Sequence, residues 1–202
     1  IGIDHTDWLG NDIESIAVEK AGIMRPKIPT IFGGEQPPNA IINRAQELGS
    51  PLIISGQNFH VEQNVANTSW RWRGQNKEAE PIDWSDLHIP SLMLSNVADS
   101  LQALKLLPIS IEIDAVVAAL AGLALAGRFD KRRDLGNGRT VIFDVAHNPD
   151  AMRQLAIRLH SYKAENQGAG RIAAVLAVMA DKDVPGMITA LEYCVDIWYI
   201  AQ

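Results

Sequence analysis

The chain has 202 residues, is 47% hydrophobic and 21% charged, and carries a net charge of -6 with mean hydropathy of -0.01. That length holds one large domain or two small ones, and the acidic balance argues against a broad nucleic-acid surface. No apolar run approaches a membrane span, so a soluble protein without a membrane partner is expected. Cys194 is the single cysteine, which excludes an intramolecular disulfide and fits a reducing compartment. No cationic-then-apolar leader opens the sequence, so a cytoplasmic location is expected. Ile1-Gly2-Ile3 and the run 196–200 both read as strand pieces, which predicts an interior piece of a longer enzyme.

In chain order, Asn11 or Asp12 caps a helix with capping-box spacing from Asn11 to Glu14. Ile13, Ile16, Ala17, Lys20 and Ala21 follow helical spacing, and Gly22 supplies the stop. A strand is expected over 28–32, a helix over 38–48 ending at Gly49, and a strand over 51–54. The run 68–74 alternates with period two, as a half-exposed hairpin strand does. Trp70 and Trp72 would share one face of it, either packed in a minor sheet or forming a base-stacking platform.

Helices resume after Pro90. Val97, Leu101, Leu104 and Leu107 make one apolar face behind a Ser95 or Asn96 cap, and a second helix is expected over 110–126, ended by Gly127. Its inward residues would be Ile113, Val116, Val117, Leu120 and Ala124. Gly136-Asn137-Gly138 makes a turn. Beyond it the pattern is strand 140–146, helix 149–162, strand 171–179, helix 185–195 and strand 196–200. Two βαβ units of this kind predict one parallel sheet with right-handed crossovers. The expected domains are 1–126 and 127–202.

The most informative stretch is Phe143-Asp144-Val145-Ala146-His147-Asn148-Pro149. Asn148-Pro149 reads as an N-cap with proline at the first helical position, so Asp144 and His147 fall where a strand's carboxyl end meets a helix N-terminus. Backbone N–H groups and the helix dipole favour an anion there. The bland alternative makes Asp144 a helix-entry residue and His147 and Asn148 caps. Arg128, Lys131, Arg132 and Arg133 form the one dense basic cluster, which is either a solvated loop or a site for an anionic substrate. Lys20 sits on the expected buried face of its helix. It is either a snorkelling cation at the helix end or a desolvated, nucleophilic amine able to take up carbon dioxide as a carbamate. His5, fifteen positions earlier, would then complete a divalent-metal site.

Ile3-Asp4-His5-Thr6-Asp7-Trp8-Leu9-Gly10 followed by Glu19-Lys20-Ala21-Gly22-Ile23 resembles the dihydrofolate synthase/folylpolyglutamate synthase branch of the Mur ligase family. The likeness continues in order through Leu92-Met93-Leu94-Ser95-Asn96, Gly127-Arg128-Phe129, Asp144-Val145-Ala146-His147-Asn148-Pro149, Asp181-Lys182-Asp183 and Trp198-Tyr199. The resemblance implies an α/β fold. Residues 1–126 would be the C-terminal part of a Mur ligase central domain, a mixed sheet with helices. Residues 127–202 would be a Rossmann-like, parallel-sheet C-terminal domain, itself incomplete.

It further implies an ATP-dependent ligase that adds L-glutamate to dihydropteroate and to reduced folates through an acyl phosphate, with ATP and Mg2+ (or Mn2+) as cofactors and a monomeric intact enzyme. By the same resemblance His5 and a carbamylated Lys20 serve the metal, directly or through water. Asn96, Arg128, Asp144 and His147 serve ATP, Arg128 at phosphate and Asp144 at the ribose hydroxyls. Lys182 meets the incoming glutamate's carboxylate.

The sequence departs from the family in three respects. It contains no Gly-x-x-x-x-Gly-Lys-Ser/Thr phosphate loop, it lacks the family's upstream metal-binding Ser and Glu, and Ser95 stands where proline is usual before Asn96. The chain alone is therefore expected to be inactive. Two other readings stay open: another Mur-type amide ligase, or a nucleotide-binding module without a phosphate loop.

Overall fold

The computed structural model describes residues 12–64, 69–90, 92–166 and 170–201. They form two compact units that divide between Leu125 and Ala126.

In the first unit, helix α1 (Ile13–Ala21) begins at Asp12, whose carboxylate accepts from Ser15 N at 2.9 Å and Ser15 Oγ at 2.7 Å. These bonds hold the Asp12 carboxyl below its ordinary pKa. The Asn11 half of the expected capping box lies outside the described residues. Glu14 instead reaches helix α2 (Asn39–Leu48), accepting from Asn39 N at 2.9 Å and Ala40 N at 2.8 Å. Pro38 precedes α2 and supplies no side-chain cap, so a carboxylate from the neighbouring helix satisfies donors that would otherwise be orphaned. Helix α2 ends at Gly49, in the left-handed region at φ 58°, and connects strands β1 (Thr30–Phe32) and β2 (Leu52–Ile54), which pair in parallel.

Strands β3 (His60–Gln63), β4 (Ser69–Gln75) and β5 (Pro81–His88) form an antiparallel sheet. Trp70 and Trp72 are both buried on one face of β4, with Phe59 and Leu87, so the minor-sheet reading holds and neither ring is available for stacking on bases. Helix α3 (Leu94–Leu106) covers this face with Val97, Ala98 and Leu101, and helix α4 (Ile113–Ala121) adds Val116 and Leu120. The buried amide of Gln102 pins α3 to the sheet, accepting from Gln75 N and donating to Gln75 O at 2.8 Å. Leu104, Leu107 and Val117 are exposed rather than inward, and α4 stops at Gly122, not Gly127.

In the second unit, strand β6 (Asp130–Arg133) pairs antiparallel with β7 (Thr140–Phe143). Helix α5 (Pro149–Glu165), strand β8 (Ala173–Ala177), helix α6 (Val184–Leu191) and strand β9 (Ile197–Ala201) follow, with β8 and β9 parallel. The expected single sheet joining 140–146 to 171–179 is corrected: among the described residues these strands lie in separate two-stranded sheets. The Gly136–Gly138 turn folds β7 back on the basic segment 130–133, whose run of charges hides a strand from any test of alternation. β7 then ends early because Val145 N donates to Gly127 O at 2.9 Å instead of extending a ladder. Phe129, Met152, Leu159, Leu176, Met187, Leu191 and Val195 form the core of this unit. Cys194, half-buried, donates its thiol to Ala156 O on α5. The opposite face of the β8–β9 pair leaves Val175 and Tyr199 exposed.

Candidate functional site

Asp144 follows β7 directly, and its carboxylate organises the local chain. One oxygen accepts from Ala146 N at 2.9 Å and the other from Phe129 N at 2.8 Å. The second bond, with Val145 N on Gly127 O, straps the turn 127–130 to the loop after β7. The strap is conformationally demanding. Gly127 sits at φ 69°, where a Cβ would come within 2.8 Å of Val145, and Phe129 sits at φ 53°. A bulky residue in the left-handed region costs roughly 1–3 kcal/mol unless its surroundings hold it. Here they do. The Phe129 ring is buried, lies 4.2 Å beneath the Arg158 guanidinium and meets Tyr162 edge-on at 6.4 Å.

Arg128, between these two constrained residues, is exposed and has no acidic partner among the described residues. Two of the other cations of the basic cluster, Lys131 and Arg132, are engaged. Arg132 pairs with Asp130 at 2.8 Å and lies over Phe143, and Lys131 lies over Tyr162. Asp130 is thereby held below the usual carboxylate range, chiefly by the Arg132 hydrogen bond. Arg128 is thus the cation of this strap that stays available to an anion.

His147 donates Nδ1–H to Val145 O at 2.9 Å, which leaves Nε2 unprotonated in the neutral ring. Asn148 caps α5 through Ala151 N at 2.8 Å, with Pro149 at the first helical position, as the sequence predicts. The equivalent position after β8 carries Asp181-Lys182-Asp183. Asp183 caps α6 through Gly186 N at 2.9 Å. The Lys182 side chain is 7% exposed with its ammonium 3.1 Å from Asp181, an unusually deep setting for a lysine. A Cβ on Gly186 would fall within 2.9 Å of the Pro149 ring. The first turns of α5 and α6 therefore touch, which sets the loop of Asp144 and His147 beside the loop of Lys182. Two adjacent helix N-termini, a buried lysine and an open arginine suit a ligand bearing several anionic groups.

Lys20 and Asn96 belong to the first unit. Lys20 is exposed: α1 buries Ile16, Ala17 and Ala21, while Lys20 occupies its last turn, where a cation suits the helix C-terminus. The reading of Lys20 as a buried amine is corrected accordingly. His5 lies outside the described residues. Among those described, no group of three or more His, Cys, Asp or Glu side chains converges, so they do not by themselves build a metal site. Asn96, in the first turn of α3, is exposed and accepts the Ser100 hydroxyl on its carbonyl at 2.8 Å.

Two residues escaped the sequence reading. Arg158 has helical spacing that gives no hint of its stacking on Phe129. Asp99, one turn beyond Asn96, presses against Gly33, where a Cβ would fall within 2.1 Å of its carboxylate. Its Oδ1 is buried without a hydrogen bond, and burial pushes this carboxyl's pKa up.

Residues 127–202 match the Mur ligase glutamate ligase domain. The dihydrofolate synthase/folylpolyglutamate synthase of Escherichia coli K12 is 36% identical over 201 residues, which is 100% of this chain and 44% of that protein. The structure of E. coli FolC in complex with DHPP and ADP superposes with a TM-score of 0.84 at 34% identity, over 98% of this chain and 45% of that one. A bifunctional folylpolyglutamate synthase/dihydrofolate synthase with Mn, AMPPNP and L-glutamate bound gives 0.82 at 32% identity, over 98% and 45%. The chain spans less than half the length of these relatives. It belongs to the Mur ligase family, in the branch of the dihydrofolate synthase/folylpolyglutamate synthases.

Proposed function

We propose that the chain is part of an ATP-dependent ligase that joins L-glutamate to dihydropteroate and to reduced folates, working in the cytoplasm as a monomer without nucleic-acid or membrane partners. The observation that carries this reading is the pairing of two helix N-termini, with Asp144 and His147 on one loop and Lys182 on the next. In the proposed reaction a phosphoryl group passes from ATP to the substrate carboxylate. Glutamate's amine then attacks the acyl carbon, and phosphate and a proton leave.

Such chemistry asks the protein mainly for placement and charge stabilisation. Arg128 supplies a guanidinium to the transferring phosphate. Asp144 accepts from the ribose hydroxyls with the lone pairs that its two backbone donors leave. His147 lies on the same loop and serves the nucleotide, Lys182 neutralises a glutamate carboxylate, and Asn96, in the first unit, is assigned to ATP by resemblance alone. The domain assignment is part of the proposal: 1–126 as the C-terminal part of the central domain, 127–202 as the ligase domain. By resemblance alone, His5 and a carbamylated Lys20 would hold a divalent cation.

Arg128→Ala should weaken ADP binding by this chain roughly 10- to 100-fold, the usual effect of losing a charged hydrogen-bond partner. Isothermal titration measures it. The same 202-residue chain should release no phosphate when given ATP, dihydropteroate and glutamate, since it has no phosphate loop. A polypeptide that restores a phosphate loop upstream should do so. Unchanged ADP affinity in Arg128→Ala, or turnover by this chain alone, would overturn the reading.

A further inference from the structure

We propose that Arg158, on the middle of α5, is a positioning residue for Arg128, acting through the ring of Phe129 and the carboxylate of Asp144. The inference rests on the reading of Arg128 as the nucleotide's phosphate contact, and it adds a residue that neither the family motifs nor the helical pattern singles out.

Arg128 is one residue from Phe129, and Phe129 is the point at which the strap is fixed. Its N–H is held by Asp144 at 2.8 Å and its backbone lies at φ 53°. A left-handed phenylalanine relaxes readily to an extended or helical conformation unless both its N–H and its ring are held. Asp144 holds the first. Arg158 covers the second, with its guanidinium 4.2 Å from the ring centroid.

Arg158 also faces Asp144 electrostatically. Burial lowers the pKa of its half-buried guanidinium, and the Asp144 charge acts in the opposite direction. One cation therefore covers the ring of one anchor and feels the charge of the other. Tyr162, edge-on to Phe129, and Lys131, 5.8 Å from the Tyr162 ring, complete the group around it. If the ring were released, the backbone at 129 would change conformation and the Arg128 side chain would leave from a different direction. Removing Arg158 should then cost the phosphate contact without touching the ligand.

Two readouts on the full chain test this. Amide hydrogen exchange of Phe129 should speed up at least about tenfold in Arg158→Ala, while the amides of β8 and of Leu159 keep their wild-type rates. Arg158→Lys, which keeps the charge but loses the flat stacking surface, should fall between. In ADP titrations, Arg158→Ala should lose affinity to about the level of Arg128→Ala, and the double variant should lose no more than either single one. A merely structural residue would instead add its effect to that of Arg128→Ala. Wild-type exchange at Phe129 in Arg158→Ala, or additive losses in the double variant, would overturn the proposal. So would exchange that accelerates equally across the second unit in both Arg158→Ala and Arg158→Lys. If the wild-type chain bound no ADP, the nucleotide reading would fail, and the exchange result would still decide whether Arg158 holds the strap.

Discussion

Asp99 is, with Trp72, one of two described residues that bury a side-chain polar atom without a hydrogen bond. Its carboxylate lies against Gly33 with one oxygen buried and unbonded, so ionisation is opposed by desolvation and helped by nothing nearby. The linkage follows in sign. A carboxyl whose pKa is raised in the folded state binds more protons folded than unfolded, so its contribution worsens as pH rises through the raised value. Asp99→Asn should therefore stabilise the chain at pH 7 by about 1 kcal/mol or less, because the group is partly solvated and screened. That gain should fade as pH is lowered toward the ordinary aspartate value of 3.8. Urea unfolding at several pH values measures both, and a variant less stable than wild type at pH 7 would contradict it.

At this scale the sequence exposes identity better than environment. Asn148 and Asp12 cap the helices that their residue types and positions predict, because capping is decided within three or four residues. Lys20 takes the helix-end alternative rather than the buried one, because spacing says which residues share a face, not whether anything covers it.

At the scale of elements, helices α1 to α6 follow from periodicity to within a few residues, whereas the pairing of the strands around 130–143 does not. Asp130-Lys131-Arg132-Arg133 has no apolar alternation and becomes a strand only because a glycine turn brings β7 alongside. The turn is legible in the sequence, but the charged segment it folds β7 against is not. Neither is the capping of the α2 N-terminus from another helix by Glu14. Glu14→Ala should remove an acceptor from two backbone donors at once and cost roughly 1–2 kcal/mol. Glu14→Gln, which keeps one acceptor oxygen, should cost less. Urea unfolding of both variants checks this, and a silent Glu14→Ala would mean that water replaces the cap at no cost.

At the scale of the molecule, the two units have separate cores. Phe59, Trp70, Trp72 and Leu87 anchor one, and Phe129, Met152, Met187 and Leu191 the other. The adjacency of the α5 and α6 N-termini could not be read from the sequence, since it depends on Gly186 leaving room for Pro149. What the sequence did carry was the order of short motifs, each placed at the end of a strand or the start of a helix. The chain also contains the means to follow each half separately. Cys194 is its single thiol, lies in the second unit and rests against α5. Among the described residues, Trp70, Trp72 and Trp84 lie in the first and Trp198 in the second. A disulfide reagent therefore times the opening of one half while indole emission reports mostly on the other, with no label engineered in. In a denaturant series the two probes should give different midpoints if the halves melt separately, and coincident curves would mean that they melt as one.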